Sequence, residues 1–184
     1  MIEESIKKAK DSLVVTLRGV DEIYDTMFDV VKGNVVDILK GAGDIAEAGT
    51  DSIVKITNSL IGGVAEVGGE AMRSAKEVVM GVIKGGVDAG METMDLARDS
   101  VRGAVKGAGE IGGDIGQTAV GAVKGAIDSA GELGVSTEEA LEKAVAGAID
   151  AAGEISEEAV EEVKEALEAS VEGSKDVIKK LFEK

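Results

Sequence analysis

An acidic residue recurs every 22 residues from one end of this chain to the other: Glu22, Asp44, Glu66, Asp88, Glu110, Glu132, Glu154 and Asp176. Three residues before these acids stand Gly19, Gly41, Gly63, Gly85, Gly107, Ser129, Ala151 and Gly173. One residue after them stand Ile23, Ile45, Val67, Ala89, Ile111, Leu133, Ile155 and Val177. A tandem period of this length signals a repeat architecture and overrides readings made segment by segment.

Twenty-two residues make two hendecads, and a helix of roughly 3.67 residues per turn returns to register after each one. On such a helix Leu17, Leu39, Ile61, Ile83, Val105, Ile127, Ile149 and Val171 form one apolar column. Leu13, Val35, Val79, Val101, Val123, Val145 and Leu167 form another. With the aliphatic positions beside them they cover nearly half the circumference, wider than the seam of a two-stranded coiled coil. The acidic ladder occupies the opposite side. Arg18, Lys40, Lys84 and Lys106 sit four residues before acids of the ladder, which predicts weak pairs along one helix face.

The glycines are placed, not scattered. Gly19, Gly41, Gly63, Gly85 and Gly107 edge the apolar arc. Gly81, Gly103 and Gly125 precede that column by one turn, Gly121 lies four residues before Gly125, and Gly112 belongs to a further set with Gly68, Gly90 and Gly134. Each glycine inside a helix costs roughly 0.5–1 kcal/mol relative to alanine. Close approach of a neighbouring helix is what offsets such a cost, and the G-xxx-G spacing suits it.

These patterns predict an all-α chain: one very long Gly/Ala-rich amphipathic helix, packing side by side with others in a coiled-coil-like bundle, tube or filament. A helical hairpin is the alternative. Fully extended, the helix would span about 275 Å at roughly 1.5 Å per residue. Three zones differ in composition. Residues 1–40 are Gly-poor, 41–134 are Gly-rich, and 135–184 are Ala/Glu-rich; they read as parts of one continuous repeat unit, not as globular domains. Phe28 and Phe182 share a repeat column, one near each end, as bulky closures of a narrow-waisted assembly. One boundary signal stands out: Gly134 as a residue after a helix end, with Ser136 and Glu139 as a capping box. The unbroken 22-residue phase through it favours continuous helix.

The hendecad pattern resembles right-handed coiled-coil stalks with 11-residue repeats. It also resembles the amphipathic 11- and 22-residue repeats of apolipoproteins, synucleins, perilipins and desiccation proteins. The resemblance spans nearly the whole chain and is one of period. It implies a helical fold and, for the second class, a lipid or interfacial partner. The Gly density departs from both, and the Lys-rich interfacial columns of the lipid binders are missing.

Composition narrows function by exclusion. The chain lacks His, Cys, Pro and Trp and has three aromatic residues, Tyr24, Phe28 and Phe182. Without His or Cys, nucleophilic catalysis has no ordinary base or thiolate. Gly107 to Gly112 matches G-x-G-x-x-G, but a helical repeat precedes it where the dinucleotide fingerprint needs a strand. The acids Glu157, Glu158, Glu161, Glu162 and Glu165 read as a solvated face. A net charge of −16 disfavours nucleic acid as a partner. No cofactor or metal is implied.

The expectation is a structural, non-enzymatic protein that self-assembles through Gly/Ala-mediated helix packing. The rival is an amphipathic protein that coats lipid, a granule or another hydrophobic surface and is disordered when free. The opening Met1-Ile-Glu-Glu carries no signal-peptide core, so a cytoplasmic location is the default, with an extracellular filament left open.

Overall fold

The computed structural model describes residues 2–42 and 45–183, and its helices are short. They are α1 (Ile2–Arg18), α2 (Ile23–Gly41), α3 (Ile45–Glu66), α4 (Ala71–Asp88), α5 (Thr93–Glu110), α6 (Ile115–Glu132), α7 (Thr137–Ile155), α8 (Glu157–Ser170) and α9 (Ser174–Phe182). The central helices α4, α5 and α6 are each 18 residues long. The 22-residue unit is therefore one helix plus a turn of about four residues, within the usual length for helix–helix connections.

The turns explain why the chain stops where it does. Gly68, Gly90, Gly112 and Gly134 adopt φ of 78°, 98°, 66° and 73°. This left-handed conformation after a helix end is where glycine has no Cβ penalty. In three of these turns a bond spanning five residues closes the helix: Met91 N–H to Gly86 O at 2.9 Å, Gly113 N–H to Ala108 O at 2.8 Å and Val135 N–H to Ala130 O at 3.0 Å. Helices α6, α7 and α8 then open on capping side chains, whereas α4 and α5 open without one. Asp114, Ser136 and Ser156 accept from the backbone N–H groups of Gln117, Glu139 and Ala159 at 2.8, 3.1 and 3.0 Å. Between α7 and α8 the link is Ser156 alone, in extended backbone. Helix α3 is kinked at Gly49, whose φ of 45° is not helical.

Successive helices run antiparallel, and each packs on the helix after next as well as on its sequence neighbour. Odd-numbered helices α1, α3, α5, α7 and α9 make one layer; even-numbered α2, α4, α6 and α8 make the other. One continuous core runs between the layers, from Leu13 and Leu17 through Val79, Ile83, Val101 and Val145 to Val163 and Leu167. Stacking of repeats that cannot bury an apolar face alone gives such a core.

The long continuous helix and the coiled-coil-like bundle, tube or filament built from it are thus incorrect, and the hairpin alternative is too small. The physical reason lies in the period itself. Duplication of a helix-plus-turn unit preserves the 22-residue phase across every turn, so unbroken phase carries no information on helix continuity. Gly134 is a true turn and the helix does not run through it; its counterparts Gly68, Gly90 and Gly112 are turns for the same reason. The composition zones follow the elements: 1–40 spans α1 and nearly all of α2, 41–134 covers α3 to α6, and 135–184 covers α7 to α9.

Candidate functional site

Helices of one layer approach each other backbone to backbone along glycine seams. A Cβ at Gly85 of α4 would lie 2.8 Å from the Lys32 carbonyl oxygen of α2, and one at Gly81 would lie 2.7 Å from a Val31 methyl. In α5, Gly103 and Gly107 face the Val54 and Asn58 carbonyls of α3 at 2.5 and 2.9 Å by the same measure. In α6, Gly125 faces the Lys76 carbonyl of α4 at 2.7 Å, and Gly121 presses still closer on Met72. Gly147 of α7 repeats the contact against Arg98 of α5. Same-layer neighbours are parallel, so the G-xxx-G face of one helix meets the backbone of the helix two before it.

The other glycines expected to pack do different work. Gly112 is a turn residue with open space around it. Gly41 ends α2 with nothing within 4 Å of its missing Cβ. Gly19 lies in the turn after α1, where a Cβ would make only ordinary contact at 3.6 Å. At Gly63 the nearest group is the flexible Lys10 side chain at 3.0 Å.

The apolar column faces this chain's own core. Leu17, Leu39, Ile61, Ile83, Val105 and Val171 are buried, while Ile127 and Ile149 are half-buried at its edge.

The acidic ladder splits between the two ends of the body. Glu22 lies in the turn before α2, and Glu66, Glu110 and Glu154 lie at or near the C-termini of α3, α5 and α7. Asp88 and Glu132 end α4 and α6 at the opposite end, with Asp176 in the first turn of α9; Asp44 lies outside the described residues. Negative charge at a helix C-terminus is unfavourable to the helix dipole, and cations from the helix two before offset it. Glu66 pairs with Lys10 at 2.5 Å and Asp88 with Lys32 at 3.0 Å; Glu132 pairs with Lys84. Glu154 meets both Arg102 and Lys106, the latter at 3.2 Å. Lys84 and Lys106 therefore reach across to the next helix of their layer, not to the acid four residues on. The guanidinium of Arg102 and the ammonium of Lys106 hold the Glu154 carboxyl below its usual range, and Lys10 does the same for Glu66.

One charged position escaped the sequence reading. Glu77, Asp99, Gly121 and Lys143 share a repeat column, which enters the seam at Gly121 but is exposed at Lys143. Asp99 is only 5 % exposed. Burial pushes its carboxyl up to about 6, against a hydrogen bond with Thr50 and the charges of Arg98 and Arg102; Asp95 pushes it further up. Burial also raises the carboxyl of Glu77. The rest of that column is charged or glycine (Asp11, Gly33, Lys55, Gly121, Lys143 and Glu165), so the sequence carries no signal that Asp99 is buried.

The motif from Gly107 to Gly112 joins the end of α5 to the turn after it, with no strand before it. No group of three or more candidate metal ligands occurs among the described residues, and no described helix is long and apolar enough to cross a membrane. Phe28 and Phe182 lie under Lys84 and Lys164 at 5.5 and 4.7 Å.

The architecture is similar to that of the de novo designed helical repeat protein DHR7. Its crystal structure aligns with a TM-score of 0.58 over 94% of this chain and 96% of that one, at 21% sequence identity. That similarity concerns the fold. No protein-family model matches the sequence, and no curated protein does.

Proposed function

We propose that this protein is a structural helical-repeat scaffold, a non-catalytic body that acts through the surfaces it presents. The observation that supports this best is the set of glycine seams. Six of the ten glycines expected to join separate chains, Gly81, Gly85, Gly103, Gly107, Gly121 and Gly125, have their close contacts within the chain. The end elements carry polar faces. On α1 the residues Glu3, Glu4, Lys7, Lys8 and Asp11 are exposed; on α8 so are Glu157, Glu158, Glu161, Glu162 and Glu165. Terminal units of stacked-repeat proteins need such faces to stay soluble.

A second reading is self-association of folded chains, and one feature favours it. Val20, Ile111 and Ile155 are exposed at the same end of the body, where α1, α5 and α7 finish. Light scattering on size-separated protein, with circular dichroism before and after lipid vesicles are added, tests both. A helical particle of one chain mass, 18.7 kDa, supports the scaffold. Larger helical particles that Ile111→Ser with Ile155→Ser disperses support self-association. A disordered chain that becomes helical only on vesicles contradicts both and favours the surface-coating alternative.

A further inference from the structure

A cleft of about 180 Å³ opens between the α3–α4 turn and the α5–α6 turn. Its walls are mostly aliphatic, including Val64, Ala108 and Ile111. Two polar groups matter. Asp114 lines the cleft while its carboxylate caps α6. Ser74 also lines it; it is 4% exposed, and its hydroxyl is buried with no partner among the described residues. That hydroxyl lies against the space where a side chain at Gly69 would stand. A buried hydroxyl without a partner is destabilising, so it marks a place where a hydrogen-bonding group from outside would be favoured.

The next repeat unit packs the equivalent place differently. One unit on from Gly69 and Ser74 stand Met91 and Leu96; one unit on from Gly113 and Thr118 stand Val135 and Ala140. Leu96 is fully buried and its methyls lie against Gly86, 2.5 Å from where a Cβ there would be. Gly86 itself stands one unit on from Val64, so a leucine beside a glycine there replaces a serine beside a valine here, and the cleft is the space that remains between Val64, Ser74 and the α5–α6 turn.

We infer that this cleft is a binding site for a small neutral alcohol of single-ring size, seated on Val64, Ala108 and Ile111 with its oxygen hydrogen-bonded to the Ser74 hydroxyl. The volume suits this class, since an apolar cavity of about 150 Å³ accepts benzene. Thr118 also lines the cleft, but Ser74 is the lining residue whose buried hydroxyl has no partner among the described residues, which calls for one polar group on the ligand. Asp114 and the chain's net charge of −16 disfavour a carboxylate.

Titration of isotope-labelled full-length protein with phenol, benzene and benzoate, followed by NMR, tests this. With phenol, saturable shifts are expected at Val64, Ser74 and Ile111, with none for benzoate. Ser74→Leu, which puts bulk into the cleft and removes the hydroxyl, should abolish phenol binding. Ser74→Ala should weaken phenol at least several-fold and leave benzene unchanged. Absence of saturable shifts with phenol overturns the site, as does unchanged phenol binding in Ser74→Leu; equal phenol affinity in Ser74→Ala overturns the role of the hydroxyl.

Discussion

At Gly103 the Val54 carbonyl of α3 stands where a side chain would go. Gly33 and Gly62 are also helical, yet nothing lies within 4 Å of their missing Cβ atoms. The two kinds of position give opposite expectations for one chemical change. Gly33→Ala and Gly62→Ala gain helix propensity and should stabilise the fold by roughly 0.5–1 kcal/mol each. Gly103→Ala gains the same propensity but forces two backbones apart, and a net loss of about 1–3 kcal/mol is expected. Urea unfolding of the three variants checks this; a stabilised Gly103→Ala would mean that α3 and α5 do not touch there. Asp99 gives a second test at this scale. Its folded carboxyl titrates near 6 and its unfolded one near the ordinary value of 3.8. The folded state therefore keeps the proton where the unfolded chain has lost it. Stability from this group is fully present below about pH 4, falls as pH rises to about 6, and is flat above. Asp99→Asn should flatten that slope and stabilise the protein at pH 7 by about 1–2 kcal/mol, allowing for partial hydration. An unchanged slope would show that Asp99 is hydrated.

Two devices recur at helix ends in this chain, a left-handed glycine after α3 to α6 and a side-chain cap before α6 to α8. Gly112→Ala should cost about 1 kcal/mol, because alanine resists φ of 66° although space is open. Ser136→Ala should cost about 1 kcal/mol through loss of the bond to Glu139 N–H. Thermal melts of both check these values; no change at Gly112 would argue against a turn there. The same elements show what could be read from sequence. The Leu17 and Leu13 columns, and the close approach implied by Gly81, Gly85, Gly103 and Gly107, were legible because helical phase sets which residues share a face. Helix length was not. Gly68, Gly90, Gly112 and Gly134 fall on an apolar column when the turns are wound as helix, so their role was hidden by the phase that exposed the repeat. Gly134 was recognisable only because Ser136 and Glu139 follow it. The Ser74 cleft was illegible, since it depends on two turns, 44 residues apart in sequence, being neighbours in space.

At the scale of the whole molecule, stacking settles what the glycine-rich middle needs. Helices α3 to α6 obtain their neighbours within the chain, so association with other copies is not required for them to be ordered. Stability in such stacks is close to a sum of unit and interface contributions, which makes shape the property most sensitive to the architecture. Small-angle X-ray scattering on monodisperse protein reads that shape directly. A compact stack of 184 residues should give a radius of gyration of roughly 16–18 Å. A single continuous helix of about 275 Å would give roughly 80 Å. A value near the first, at one chain mass, is the result expected; a rod-like profile with a radius several times larger would contradict the two-layer stack of antiparallel helices.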